Sequence, residues 1–397
     1  MDLDIDRVRT MFPALDTGIA YFDGPGGSQT PRRVAQAVAT ALGAGLSNRG
    51  RVTESERRAD GIVVGARSAV ADLTGCSPGG VVFGRSMTQL TFHLAHALAK
   101  QWGPGDEIVV TRLDHDANIR PWVTAADSVG ATVRWVDFDI DTAELCFDAG
   151  VLSERTRLVA ATAASNLLGT RSDLPAVAEA VHDAGALLYV DGVHLTPHAP
   201  VSVDELGADF FACSPYKFFG PHVGVLAAAP DVLETIHPDK LLPSTEAVPE
   251  RFELGTLPYE LLAGVTAAVD FIADLAAEDG SRRARVLESM RALEVSEDRL
   301  FGRLLSGLQA IPRVRTYGAP ARRTPTVLFT VDGIDPDAVY EHLAARGVNA
   351  PASSFYALEA SRWIGLGDTG AVRAGLAPYT SDADVDRLLT GVEELGG

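Results

Sequence analysis

Short apolar runs recur along the first 230 or so positions, separated by stretches with helical spacing. The runs are GVVFG (80–84), DEIVVTRL (106–113), TVRWVDFD (132–139), TRLVAATAAS (156–165), ALLYVDG (186–192), ADFFACS (208–214) and VGVLAAA (223–229). Each has the length and β-branched or aromatic content of a strand. Three intervening stretches, SMTQLTFHLAHALAKQ, ANIRPWVTAADSVG and LPAVAEAVHDAG, carry helix spacing, and the last ends in Gly185 as a C-cap. Nearly continuous apolar strands alternating with helices predict an α/β fold around a mixed, mostly parallel seven-stranded sheet covered on both faces. From about residue 285 the texture changes. A long charged helix (GSRRARVLESMRALEVSEDRLFGRLLSGLQ) leads to the short strand TPTVLFTVDG and further helices, predicting a smaller α+β domain. A helix around 261–277 joins the two. The expected division is an N-terminal segment 1–20 packing with the small domain, a large domain 21–280 and a small domain 281–397.

Composition changes this picture only by exclusion. A formal charge of −19 argues against nucleic-acid or anionic-membrane partners. No run approaches the length of a membrane span, and MDLDIDRVRTMFPAL is acidic without the apolar core of a signal peptide, so a cytoplasmic protein is expected. Three irregularly spaced cysteines make neither a disulfide framework nor a zinc site. His93/His96 and His194/His198 lack a third ligand in the sequence, so no metal is expected. No G-x-G-x-x-G follows a strand to open a helix, and neither a P-loop nor H-E-x-x-H occurs.

One residue stands out against this background. The chain uses three lysines and thirty-one arginines, and Lys217 sits among Pro215, Tyr216, Phe218, Phe219 and Gly220. An amine can lose its proton and attack a carbonyl, which a guanidinium cannot. Open α/β sheets bind ligands at the carboxyl ends of their strands. Those ends deliver the helix start Ser86, Met87 and Thr88, then His115, Asn166, Asp191 and Lys217. Backbone amides at a helix start receive anions. A lysine, a carboxylate and a phosphate site together suit pyridoxal 5′-phosphate (PLP), with Lys217 as its Schiff-base residue and proton carrier and Asp191 on the pyridine nitrogen. Taken singly these residues have ordinary readings: a structural loop lysine, a turn-forming aspartate, a satisfied loop histidine.

The ordered set resembles the fold-type I PLP enzymes of the class V aminotransferase family, and within it the cysteine desulfurase and selenocysteine lyase branch. The likeness is carried by YFDGPGGSQTPRRV, SMTQ, LDHDANIRPW, DGVH, SPYKFFGP, FELGTLP and VRAGLAPYTSDADVDRLL, and runs nearly end to end. It implies that His115 stacks on the cofactor ring and that His194 and Ser214 also bind the cofactor. Lys217 and His115 are then the catalytic residues. The resemblance further implies that Thr256 completes the phosphate site of a partner in a homodimer, and that Arg373 and Asn118 bind the amino-acid substrate. A guanidinium does bind an α-carboxylate through two parallel hydrogen bonds, although an ordinary strand-edge arginine fits Arg373 equally from local sequence.

The sequence departs from the branch at one place. The segment matching the desulfurase cysteine loop, GVNAPASSFYALEASRWIGL (347–366), holds no cysteine; Cys76, Cys146 and Cys213 lie elsewhere. Tyr216 stands where desulfurases often carry histidine. The expected function is therefore a desulfurase-like C–S or C–Se lyase without the loop thiol. An aminotransferase or epimerase on the same apparatus is the alternative, and a non-catalytic PLP-fold protein a further one. Ser353, Ser354, Tyr356 and Arg362 are expected to carry the substrate information.

Overall fold

The computed structural model describes residues 3–276 and 279–396. The chain enters through a short helix, Ile5–Arg9, and strand β1 (Ala20–Tyr21). The next seven strands are β2 (Val81–Gly84), β3 (Glu107–Thr111), β4 (Thr132–Val136), β5 (Thr156–Thr162), β6 (Leu187–Asp191), β7 (Phe210–Cys213) and β8 (Gly224–Ala228). They form one sheet in the order β2-β8-β7-β6-β5-β3-β4, with only β8 antiparallel to its neighbours. Each coincides with one of the seven apolar runs, trimmed at its ends.

Alternation along the strands explains why the sheet is covered on both faces. Val109, Val159, Val190 and Phe211 enter one core, while Ile108, Leu158, Tyr189 and Phe210, one residue earlier on each strand, enter the other. Successive side chains point to opposite faces, so a fully apolar strand needs a cover on each. Burying a side chain of this size contributes about 1.5–3 kcal/mol. The helix Met87–Ala99 covers the second core and Glu54–Thr74 the first. Strand order reverses between β3 and β5, which is where an open α/β sheet forms its ligand crevice.

The smaller antiparallel sheet joins β9 (Val314–Tyr317), β10 (Thr326–Val331), β12 (Ala352–Ser353) and β13 (Ala371–Gly375) in the order β12-β13-β10-β9. The helix Arg282–Ala310 leads into it, and Leu304, Phe329, Val372 and Leu388 build its core. Strand β1 pairs in parallel with β11 (Val348–Asn349), and Arg9 donates to Asp384 at 2.6 Å, so the N-terminal segment reaches this part of the chain. Phe12 also packs edge-on against Phe219 and Phe271 of the large sheet's core.

Two expectations shift. The helix read from ANIRPW begins only at Arg120, after a single 3-10 turn over Asp116–Asn118. Pro121 has no N–H and disfavours helix in the residue before it, so it belongs in the first turn rather than the interior. The joining helix runs Tyr259–Ala273; its expected end at Ala277, like the expected segment ends at 1–2 and 397, lies outside the described residues. Among the described residues no helix is long and apolar enough to cross a membrane.

Candidate active site

The carboxyl ends of the strands converge on one cavity of about 490 Å³. Ser86, Met87 and Thr88 form one wall, at the start of the helix that follows β2. Ser86 caps that helix by accepting from Gln89 N at 3.1 Å. The amides of the first turn have no acceptor inside the helix and are available to an anion. Gly224 of β8 lets this wall sit close, because a Cβ there would lie 2.1 Å from the Ser86 carbonyl carbon.

Asp191 ends β6 and is buried. Its Oδ1 accepts from Val193 N at 2.9 Å, and its other oxygen has no partner in the chain among the described residues. Burial lifts its pKa to about 6, against the backbone bond and the charge of Lys217, which both lower it. Gly192 follows because any side chain there would overlap the Phe211 ring.

Lys217 lies opposite in a 3-10 turn, Pro215–Lys217, beside Ser214 and Tyr216, which line the same cavity. Its Nζ donates to the Pro25 carbonyl. Burial brings its pKa down to about 7, aided by the charge of Arg373 and opposed by that of Asp191. The sequence's anomalous lysine is thus a buried amine that has lost about half of its protons near neutral pH. Its folded pKa lies below the unfolded 10.5, so between about pH 7 and 10 the unfolded chain holds the extra proton and folding stability rises with pH. In the cofactor-free protein, stability should climb from pH 7 to 10 more steeply than in Lys217→Met, by on the order of a few kcal/mol. Urea unfolding at several pH values measures this, and parallel curves would exclude a desolvated lysine.

His115 follows β3 and is likewise desolvated, its pKa brought down to about 3 by burial and by the charges of Lys217 and Arg373. The ring is neutral, and because Nδ1 accepts from Ala117 N at 3.0 Å the proton sits on Nε2. His194 borders the cavity too, with Nε2 within 3.0 Å of both Thr324 Oγ1 and Thr326 Oγ1. Asn166 is placed there as expected, but its Nδ2 donates to Phe355 O at 3.0 Å and its Oδ1 is without a partner.

Arg373 arrives from β13 of the small sheet, fully buried. Its Nη1 donates to Asn166 O at 2.8 Å, and Phe355 lies over the guanidinium, 3.7 Å from ring centroid to Cζ. Burial lowers its pKa to about 9, with the Asp23 charge opposing. Arg373 borders a wider mouth of about 1170 Å³ that shares Thr88, His115, Asn166, Tyr216 and Lys217 with the inner cavity.

Two expected site residues lie elsewhere. Asn118 faces away: its Nδ2 donates to Asp114 Oδ1 at 2.6 Å and its Oδ1 accepts from Trp122 Nε1 at 3.0 Å, so both ends of the amide are consumed in the core. It is a positioning residue under His115 rather than part of the mouth. Thr256 stands exposed and borders neither space. Of the residues expected to read substrate, Ser353 and Tyr356 line the mouth, whereas Arg362 pairs with Asp368 at 2.6 Å on the surface. The sequence reading missed Asp23, Thr324, Thr326 and Phe355; only Asp23, ending the run YFD, carried a signal.

Phe355 and Tyr356 are unusual in their backbone. Both are left-handed, with φ of 52° and 58°. Side chains with a Cβ pay about 1–2 kcal/mol each there. Asn166 Nδ2 on Phe355 O, and Asp116 N on Tyr356 O at 2.7 Å, hold them in place. Tyr356 then stacks on His115, centroids 5.5 Å apart.

The donor set fits PLP: a buried amine of lowered pKa, a buried carboxylate with one oxygen unpartnered among the described residues and a helix start with first-turn amides open to an anion surround a single cavity. On this sheet topology they define a PLP-dependent enzyme of fold type I. The chain belongs to the class-V aminotransferase family, whose model matches residues 20–388. It is 36% identical to an uncharacterized protein of Mycobacterium tuberculosis across the full length of both. It is 30% identical to a probable cysteine desulfurase of Halalkalibacterium halodurans, over 99% of this chain and 98% of that one. The crystal structure of the cysteine desulfurase CsdA from Escherichia coli superposes with a TM-score of 0.86 at 25% identity, covering 99% and 98% of the two chains.

Proposed function

We propose that this protein acts on an α-amino acid and cleaves a C–S or C–Se bond at its β-carbon by elimination, without a persulfide-forming thiol. The observation that carries this reading is the chemistry facing the site: Lys217 supplies a base, Arg373 supplies a carboxylate partner, and among the described residues no cysteine lines either space. Cys213 is buried in β7 with its pKa pushed up by burial, Cys76 lies beside Arg283 on a separate surface, and Cys146 is exposed outside both. The named desulfurase relatives support sulfur chemistry.

In this reading Lys217 and Asp191 hold PLP, Lys217 covalently through Nζ, while Ser86, Met87 and Thr88 take its phosphate. His115, Asn166, His194 and Ser214 contact it. The cofactor, when bound, withdraws electrons from the substrate's α-carbon. Lys217 removes the α-proton there, and neutral His115 leaves its Nε2 proton available as a hydrogen-bond donor. Arg373 fixes the substrate carboxylate, in exchange for its contact with Asn166 O. Thr256, exposed and remote from its own cavity, would serve the second subunit of a homodimer.

Product analysis with PLP-loaded protein and anaerobic L-cysteine or L-selenocysteine tests the reaction. Pyruvate with sulfide or selenide is the expected result. Alanine with sulfane sulfur would instead mark a thiol-dependent desulfurase, and a keto acid with pyridoxamine phosphate an aminotransferase.

A further inference from the structure

The mouth above Lys217 has an aromatic wall. Phe92, on the helix Met87–Ala99, is 45% exposed, and Tyr356 is 76% exposed. With Phe355 and Tyr216 they border the mouth together with Pro25. Scattered exposed apolar residues need no explanation, but these converge on one space with the substrate-carboxylate arginine beneath. The charged side chains of the rim do not greet a polar substrate: Asp116 and Arg120 pair with each other at 2.8 Å, and Arg120 also pairs with Glu359. The strained, doubly anchored Phe355–Tyr356 pair gives the wall a fixed position, and conformational strain of this kind gathers where a ligand is held.

We propose that this mouth is a specificity subsite for a bulky apolar substrate side chain, seated on Phe92, Phe355 and Tyr356. The proposal rests on the lyase reading for its chemistry, which makes the substrate an S-substituted cysteine, a thioether bearing an aryl or alkyl group. Lys217 takes the α-proton, and the Cβ–S bond breaks with its electron pair staying on sulfur. The thiolate takes up a proton and leaves as a free thiol. Water hydrolyses the three-carbon remainder to pyruvate and ammonium. The sum is R–S–CH2–CH(NH3+)–COO− plus H2O giving R–SH, pyruvate and NH4+, balanced in atoms and charge with no oxidant.

The test compares S-benzyl-L-cysteine, S-methyl-L-cysteine and the uncleavable carba analogue 2-amino-5-phenylpentanoate on PLP-loaded protein. Pyruvate formation gives kcat and KM, and the absorbance change of the bound cofactor gives Kd independently of turnover. S-benzyl-L-cysteine should be favoured over S-methyl-L-cysteine by at least about tenfold in kcat/KM, and the carba analogue should bind nearly as tightly as the S-benzyl compound. The variant Phe92→Ala, altered at an exposed position of the outer mouth, should raise KM about tenfold for the S-benzyl substrate and leave the S-methyl substrate unchanged. If the two benzylic compounds bind preferentially but no pyruvate forms, the subsite stands and the lyase reading fails. If S-methyl-L-cysteine is cleaved as well as the S-benzyl compound, and the carba analogue does not bind, the subsite is overturned while the lyase reading survives. A Phe92→Ala variant that dissociates a dimer without changing either KM also overturns it, assigning this aromatic wall to an interface.

Discussion

Lys217→Ala should abolish the visible absorbance band of covalently held PLP and lower turnover of any accepted substrate by about 10³-fold or more. Two properties lost together set this size. The variant has no nucleophile to hold the cofactor, and no base at the substrate's α-carbon. The geometry makes the loss specific: Nζ is buried and donates to the Pro25 carbonyl, and burial has already drawn its pKa to about 7. Among the described residues no other lysine lines either space; Lys100 and Lys240 pair with Asp239 and Glu246. A variant that kept both the band and its turnover would remove Lys217 from the chemistry. Because alanine also relieves the cost of burying an amine, the fold should survive the change, and a melting curve of the cofactor-free protein separates lost chemistry from lost structure.

Asp191→Asn should leave the fold intact and reduce turnover by about 10²–10³-fold. Asparagine has the same shape and retains an oxygen for the Val193 amide, so the loop after β6 keeps its hydrogen bond. What it lacks is the negative charge proposed to keep the cofactor's ring nitrogen protonated. The carboxyl pKa is raised to about 6, so the parent protein carries that charge above pH 6 and loses it as pH falls through that value. Because a protonated ring nitrogen beside the carboxylate can only lower that value, activity of the parent should show an acid limb below pH 6 that the variant lacks. A variant with parental turnover and an unchanged acid limb would assign that limb, and the cofactor contact, to another group.

Much of this was legible in the chain, for reasons visible in particular residues. The seven strands are short, apolar and bounded by turns because a sheet buried on both faces tolerates little else, and Val109 beside Ile108 shows two successive positions committed to opposite cores. Lys217 was legible because a chain that prefers arginine placed an amine among aromatics. Asn118 misled because its neighbour His115 does reach the cavity; three residues on, after a turn of 3-10 helix, the side chain is carried into the core instead. Arg362 misled because a charged residue near a site is as readily satisfied outward, here by Asp368.

The sequence by itself determined the sheet, the two-part organisation and the chemical set at the strand ends, because periodicity and strand-end placement are local consequences of covalent geometry. It also shows that residues 347–366 contain no cysteine. Tertiary structure decided the rest. Only packing removes water from Lys217, Asp191 and His115 and so sets the charge each carries. Only the docking of β13 beside the large sheet brings Arg373 within 2.8 Å of Asn166, more than two hundred residues away. The aromatic mouth is likewise invisible in the chain, because Phe92 and Tyr356 belong to different sheets' surroundings and meet only when the two parts close on one space.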